Sequence, residues 1–369
     1  MKLRKTQLAA AVGAALLAGG TAVQAQNLQV QLYGQVNRAL MFADNEVQSK
    51  WFHVDGQPSS TRFGIMGTSQ IAPGLRAGAR IETEMKSNPS DTVSFATPSI
   101  GAGAGNAVAF AERWLDVSLE GAWGKINVGQ GSGAADDAST LDLSGTGLAN
   151  GSCLCDWGGA IPFTNSAGVV IAGATPASVI NNNDFESRYD RAMYTTPVFG
   201  GFRAQVGFGQ KSGAGEATEG SLWYSGKLAG ELQAAIGYSR VKTGASFPVV
   251  LDDKETMGGS IAWLHTSGLN VAYNYTTVQL SVPAPGRDAT YHFFKVGYKT
   301  GQHAFSIAYA LGEDQPAAGV EADAIALGYT WTPIRWAEFY AGYIMYGLDV
   351  VGVSANDITT AQVGTRIRF

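Results

Sequence analysis

The sequence predicts an all-β fold, a 16-stranded antiparallel transmembrane β-barrel. Three observations predict it: a glycine-rich and weakly charged composition, segments of about ten residues that alternate between apolar and polar, and connections that alternate between short and long. Glycine occupies 48 of 369 positions, and 15% of the residues are charged. This composition excludes a disordered acidic chain, a disulfide-rich scaffold and a basic nucleic-acid-binding protein.

Residues 1–25 are predicted to be a cleaved signal peptide. The segment begins with basic residues, is apolar over residues 8–17 and ends in Val23-Gln24-Ala25, which suits signal peptidase. A transmembrane anchor is the alternative, but the apolar run is short and interrupted by glycine. The mature chain, residues 26–369, is expected to form a single barrel domain. Its formal charge is −8, because removing Lys2, Arg4 and Lys5 lowers the total charge of −5 by three.

Seven short connections and eight long loops are expected between the strands, which requires sixteen strands in all. The short connections contain turn residues and lie at 70–74, 121–124, 197–201, 229–230, 267–268, 300–301 and 332–333. The long loops are polar and lie near 43–59, 87–108, 131–187, 210–218, 241–255, 279–288, 312–321 and 347–356. An exported barrel has short periplasmic turns and long extracellular loops, and its terminal strands pair to close the ring.

The segment 75–85 shows which face of a strand meets lipid. Its odd-numbered positions are mostly apolar, whereas its even-numbered positions carry Arg76, Gly78, Arg80, Glu82 and Glu84. A soluble β-sandwich also alternates in this way, but with its charged face outside. The number of such segments behind a signal peptide favours a membrane barrel with the charged face turned inward. Glycine at inward positions, as at Gly64 and Gly78, favours an open lumen.

Several motifs resemble those of the Gram-negative general porin family, and the resemblance covers essentially the whole mature chain. The motifs are Leu32-Tyr33-Gly34, the stretch 60–67, Trp123-Gly124 before Lys125-Ile126-Asn127-Val128-Gly129, and Tyr194-Thr195-Thr196-Pro197 leading to Phe199-Gly200-Gly201-Phe202. The resemblance implies a homotrimer in the outer membrane of a Gram-negative bacterium, in contact with lipids and lipopolysaccharide. It also implies that Phe369 forms part of the signal read by the outer-membrane assembly machinery.

The longest loop, 131–187, follows the fifth predicted strand, where porins fold a third loop inward as the pore constriction. A loop this long without predicted strands or helices indicates a function. The acidic side of the constriction is assigned to Asp136, Asp137, Asp142, Glu82 and Glu84, and the basic side to Arg62, Arg76, Arg80, Lys125 and Arg191. Glu82 and Glu84 have a second interpretation as partners of the arginines. Arg38 and Arg113 share parity with apolar neighbours and are placed outside the pore.

Cys153 and Cys155 lie in the same long loop, and the oxidising periplasm favours a local disulfide there. A metal or redox role is disfavoured, because no histidine or third cysteine lies nearby. The stretch Asn181-Asn182-Asn183-Asp184 and the pair Asp252-Asp253 offer oxygen ligands for calcium, but neither has the spacing of a dedicated loop. We therefore expect no metal or other cofactor, with loop-bound calcium as the open alternative.

The function expected from these observations is a water-filled channel for passive diffusion of small hydrophilic solutes and ions. Two alternatives remain open: a substrate-selective porin for sugars or organic ions, and an adhesive or structural barrel with a blocked lumen. The mature charge of −8 favours cations in the pore. An enzyme is not expected, because none of the four histidines lies in a recognisable nucleophile motif.

Overall fold

The computed structural model of the protein describes residues 28–100, 109–211, 215–243, 253–280 and 288–369. The predicted signal peptide lies outside the described residues. The strands in chain order are β1 (Gln29–Asp44), β2 (Ser49–Asp55), β3 (Arg62–Ala72), β4 (Leu75–Lys86), β5 (Ala109–Gly121), β6 (Gly124–Ser132), β7 (Arg188–Thr195), β8 (Phe202–Lys211), β9 (Gly215–Lys227), β10 (Gly230–Thr243), β11 (Lys254–His265), β12 (Leu269–Leu280), β13 (Asp288–Thr300), β14 (His303–Glu313), β15 (Val320–Ile334), β16 (Ala337–Val350), β17 (Val353–Ser354) and β18 (Ile358–Arg368).

These strands form a closed barrel of sixteen antiparallel positions, which confirms the predicted fold. The first half of β1 pairs with β3 and its second half pairs with β2, so β2 and β3 together make one interrupted wall strand. The short β17 likewise precedes β18 on the edge of β16. The ring closes where β1 pairs with β18, from Gln35 opposite Arg368 to Asp44 opposite Thr359.

The strand bounds agree with the predicted connections except at four places, and parts of the loops 87–108, 210–218, 241–255 and 279–288 lie outside the described residues. The connection predicted at 332–333 lies inside β15, because an irregularity between Trp331 and Ile334 carries that strand further before the chain turns. The loop predicted at 43–59 contains β2, since the chain turns back after Asp44 and continues the wall. The loop predicted at 210–218 is shorter, because β8 and β9 extend into it. The loop predicted at 347–356 is shorter and contains β17, because β16 extends to Val350.

Helices are few and short in the described ranges. They are two α-helical turns, Gly147–Asn150 and Pro176–Val179, and two 3-10 turns, Gln57–Ser59 and Leu154–Asp156. Among the described residues, no helix has the length and apolar character needed to cross a membrane.

The outer face of the barrel is apolar and open to its surroundings. Large side chains such as Leu32, Ile81 and Phe208 are 58–67% exposed, whereas their neighbours along each strand point to the lumen. An exposed apolar band of this kind is the lipid-facing surface of a barrel. Aromatic rings cluster near the short turns, where Trp123 stacks on Tyr194 with ring centroids 6.4 Å apart. Such rings suit a membrane–water interface.

The apolar packing inside the barrel is concentrated on one side. The loop between β6 and β7, residues 133–187, which we call the constriction loop, packs its apolar side chains mainly against β1, β2 and β13–β18, with a smaller cluster against β10. Its Trp157, Ile161 and Phe163 are fully buried there, as are Tyr340 and Tyr346 of β16. The hydrophobic core of this protein therefore lies between the constriction loop and half of the barrel wall. The inner face of β3–β8 borders the open lumen.

Candidate pore constriction

The constriction loop is fastened to the inner wall by hydrogen bonds spread over β9–β18. Wall side chains donate to loop carbonyl groups in each of the contacts that follow. They are Ser221 to Ala134, Ser260 to Ala138 at 2.7 Å, Thr276 to Asn182 at 2.7 Å, Tyr346 to Trp157 at 2.6 Å and Gln362 to Ala149 at 2.8 Å. Because these bonds fall on one side of the barrel, the passage runs between the loop and the inner face of β3–β8.

A buried ion pair fastens the loop at its middle. Lys295 of β13 has a fully buried side chain, and its Nζ lies 2.7 Å from Asp142 Oδ2 and 3.3 Å from Ser144 Oγ. Burial alone would raise the pKa of Asp142, but the Lys295 ammonium and the Ser144 hydroxyl hold it below its usual value. Asp142 was predicted to face the arginines across the pore. It instead anchors the loop, because its charge partner is Lys295 of β13 and not an arginine across the passage.

The opposite wall carries a network of charges around Glu82 of β4. This carboxylate, which is 3% exposed, lies 2.6 Å from Arg80 and 2.7 Å from Arg113, and it accepts a hydrogen bond from Tyr33 at 2.8 Å. Arg62 of β3 is 4.0 Å away. We call these residues, together with Glu84, the wall network. Arg62 and Arg80 are therefore on the lumen side of the wall, while Glu82 belongs with the basic residues and not with the acidic loop.

Arg113 was placed outside the pore, and the structure corrects this. The pairing of β4 with β5 has a bulge, so that Glu82 faces Trp114 while the next residue, Thr83, faces Glu112. The extra residue turns Arg113 inward, where it reaches both Glu82 and Glu84, the latter at 3.0 Å. Glu84 also accepts a hydrogen bond from Ser60, so it too belongs to the basic wall. The alternation of apolar and polar residues predicts the wrong direction for Arg113, because the alternation does not reveal a bulge.

Arg191 of β7 was predicted on the basic side of the constriction, but its side chain is fully buried. It lies 2.9 Å from Asp116 and donates to the carbonyl oxygens of Gly129 and Ser132. The ring of Trp114 lies between two guanidinium groups, 5.5 Å from that of Arg191 and 4.2 Å from that of Arg80. Arg191 therefore holds β5, β6 and β7 together and does not present a free charge to solutes.

Basic side chains without an ion-pair partner lie at the end of the passage that is near the short turns. Arg76, Lys125 and Arg203 are each the second residue of a strand that leaves a short turn, β4, β6 and β8. Together they line a cavity of about 500 Å³ that also contains Glu120. None of these four residues forms an ion pair within 4.0 Å in the described part of the chain. Arg203 was missed from the sequence, although its place after the turn was a usable signal.

The loop side of the passage is acidic. A cavity of about 690 Å³ is bordered by five aspartates and one lysine, namely Asp91, Asp137, Asp142, Asp156, Asp184 and Lys254. Burial, with the charge of Asp91, raises the pKa of Asp156 to about 8. Burial, with the charge of Asp137, raises the pKa of Asp184 to about 7. These two carboxyl groups therefore change charge near neutral pH.

Asp136, predicted as a pore acid, is 8% exposed and lies under the loop surface, whereas Asp137 is exposed. Burial and the charges of Asp137 and Asp184 raise the pKa of Asp136 well above its usual value. Of these two aspartates, only Asp137 is exposed to water in the passage. The difference arises because consecutive residues of a loop need not point the same way, and Asp137 has a left-handed backbone with φ of 67°.

Two further predicted features are placed by the structure. Cys153 and Cys155 form a disulfide at the edge of the acidic cavity. The C-terminal Phe369 exchanges backbone hydrogen bonds with Gly34 of β1, at 2.9 and 3.0 Å, and its ring lies against that glycine. A side chain at Gly34 would collide with this ring, which explains why glycine stands there.

Comparisons with known proteins agree with the barrel and its passage. The model of a family described as Gram-negative porin matches residues 9–362. The chain is 26% identical over 382 aligned residues to outer membrane porin protein 32 of Delftia acidovorans, covering 97% of this chain and 99% of that one.

Solved structures of outer-membrane proteins share the fold. The anion-selective porin from Comamonas acidovorans is similar with a TM-score of 0.64 and 21% identity, covering 93% of this chain and 100% of the other. The trimer form of in-vitro folded OmpT, an outer membrane protein of Vibrio cholerae, is similar with a TM-score of 0.59 and 14% identity. The match covers 93% of this chain and 100% of the other.

Proposed function

The chain belongs to the Gram-negative porin family and is an outer-membrane channel for passive diffusion, and we propose that this channel prefers small anions. The observation that carries the proposal is the charge of the narrow passage. In the cavity near the short turns, Arg76, Lys125 and Arg203 have no ion-pair partner in the described residues, and the only carboxylate of that cavity in the same condition is Glu120. A narrow aqueous path between low-dielectric walls concentrates the field of such charges on the solute.

The proposal reverses the cation preference suggested by the mature charge of −8. That charge is a sum over the whole chain, and screening limits the reach of an exposed charge to about 8 Å at physiological ionic strength. Charges on the outer loops therefore act little on an ion in the passage. The net excess of basic groups within the cavity decides the preference instead. The name of the Comamonas porin, anion-selective, agrees with this proposal, which rests on the charges of the present chain.

Removing one of the free arginines is expected to weaken the anion preference. Arg76→Ala should lower the anion-to-cation permeability ratio roughly two- to threefold, because one of the few unpaired positive charges in the passage is lost. The measurement is the reversal potential of the channel in a planar bilayer under a salt gradient. Arg240→Ala is the matched control, since Arg240 pairs with Asp253 at the outer end of β10. An equal change in both variants would contradict the proposed path.

The anion preference is expected to fall as the pH rises from about 6 to about 9. Asp156 and Asp184 have pKa values of about 8 and about 7, so each is neutral below its pKa and negative above it. Raising the pH therefore adds negative charge to the loop side of the passage. Reversal potentials in chelator-treated protein should follow this change. The double variant Asp156→Asn/Asp184→Asn should flatten it, and an unflattened curve would assign the titration to other groups.

The channel is further proposed to be a homotrimer, a view supported by the trimeric form of the similar Vibrio protein. Outer-membrane lipids, lipopolysaccharide and the assembly machinery that reads Phe369 complete the expected partners. No catalytic activity is expected. Three of the four histidines form hydrogen bonds with hydroxyl groups, His265 with Ser267, His292 with Tyr273 and His303 with Tyr329. Conductance in steps of three from purified protein tests both the channel and its assembly.

A further inference from the structure

We propose that the constriction loop binds one calcium ion between Asp136, Asp137 and Asp184. One carboxylate oxygen from each of these residues lies within 4.8 Å of the other two. In the described part of the chain no basic side chain forms an ion pair with any of the three, and Arg188 is the basic group whose charge acts on Asp136. Three carboxylates so close together repel one another unless protons or a cation neutralise them.

The buried member of the cluster points to a bound cation. Asp136 is 8% exposed, and its Oδ2 has no hydrogen-bond partner in the described residues. A buried carboxylate oxygen without a partner is costly, and this one belongs to one of the three clustered carboxyl groups. The orientation of Asp184 is already fixed, because its Oδ1 accepts a hydrogen bond from Ser139 at 2.8 Å and its Oδ2 accepts one from the Asp137 N–H at 3.1 Å.

The donor set suits calcium better than other metals. All three groups are carboxylates, which hard cations prefer, and the cluster contains no histidine or thiol that would favour zinc. Asp137 is exposed, so water can complete the six to eight oxygen ligands that calcium takes. Magnesium requires a more regular octahedron, which the three aspartates of an irregular loop are less suited to provide.

The position of the cluster gives the ion a structural task. Asp136 and Asp137 follow closely after the end of β6 at Ser132, and Asp184 shortly precedes β7 at Arg188. The ion would therefore join the outgoing and returning ends of the constriction loop, which are 47 residues apart between Asp137 and Asp184. Binding would fix the neck of the loop and add positive charge beside the passage. The site does not depend on which ions the channel prefers.

Calcium binding can be measured on the full-length protein. Detergent-solubilised protein free of lipopolysaccharide is treated with chelator, dialysed and titrated with calcium chloride in a calorimeter. We expect one calcium per chain, with an affinity at least about tenfold weaker in Asp136→Asn and in Asp184→Asn. Glu46→Gln is the control, because Glu46 is an exposed acid in the turn between β1 and β2 and its removal should leave the binding unchanged.

A second measurement protects the test against misfolding of the variants. Wild-type channels in a bilayer should close more often after chelator is added and recover when calcium is restored, because the neck of the loop is then released and refastened. Absence of calcium binding to the wild type at millimolar concentration would overturn the proposal and leave protons as the neutralising species. An equal loss of affinity in Glu46→Gln would overturn it as well. Either result would leave the channel function intact, since ordinary conductance tests that separately.

Discussion

Replacing Lys295 with methionine will loosen the constriction loop and raise the single-channel conductance. Lys295 is fully buried and is the charge partner of Asp142 at 2.7 Å, so its removal leaves a carboxylate without compensation inside the protein. Breaking a buried pair in this way costs about 3–5 kcal/mol. Undocking the middle of the loop relieves that cost by exposing Asp142 to water, and the passage then becomes wider. Single-channel conductance and the thermal unfolding midpoint measure the two effects.

The double variant Lys295→Met/Asp142→Asn separates loss of the pair from loss of packing. Replacing both charged partners is much less costly than removing one, so this variant should recover most of the stability and of the wild-type conductance. Asp142 also accepts a hydrogen bond from the Ser144 N–H at Oδ1 and one from the Ser144 hydroxyl at Oδ2. The asparagine oxygen can still accept the first, whereas its NH2 group can only donate to the Ser144 hydroxyl. If the single and double variants lose the same stability, the pair is not what fastens the loop.

Replacing Glu82 with glutamine will release the arginines of the wall network into the passage. Glu82 is 3% exposed and forms ion pairs with Arg80, Arg113 and, at 4.0 Å, Arg62. The isosteric amide removes the charge that holds these guanidinium groups against the wall, at a cost of about 3–5 kcal/mol. The net charge of the lumen also rises by one. We expect a stronger anion preference, seen in the reversal potential, and a lower unfolding temperature.

Glu84→Gln is the matched control for this change, since Glu84 belongs to the same wall network and lies 3.0 Å from Arg113. It alters the net charge equally but leaves Arg80 paired with Glu82. The shift in selectivity should therefore be clearly smaller than in Glu82→Gln. Equal shifts would mean that net charge alone sets the preference and that the geometry of the wall network does not matter.

The alternation of apolar and polar residues determined the barrel, because each strand must show one face to lipid and the other to the lumen. The same parity placed Arg62, Arg76 and Arg80 on the lumen side. Position in the strand also indicates an inward direction for two residues that were not predicted, Lys295 and Arg203. Lys295 shares the inward parity of Tyr291 and Phe293, and Arg203 occupies the same position after a short turn as Arg76 and Lys125.

The remaining placements depended on contacts that no local pattern contains. Asp142 and Lys295 are 153 residues apart, and Asp116 and Arg191 are 75 apart, so which charges are paired is known only once the chain has closed. Arg113 turns inward because of a single extra residue in β5. The sequence by itself determined the strands, their inward faces and the loop that narrows the pore. Only the tertiary structure decided which charges remain free in the passage, because burial and pairing are properties of the closed ring and of the path that the constriction loop takes inside it.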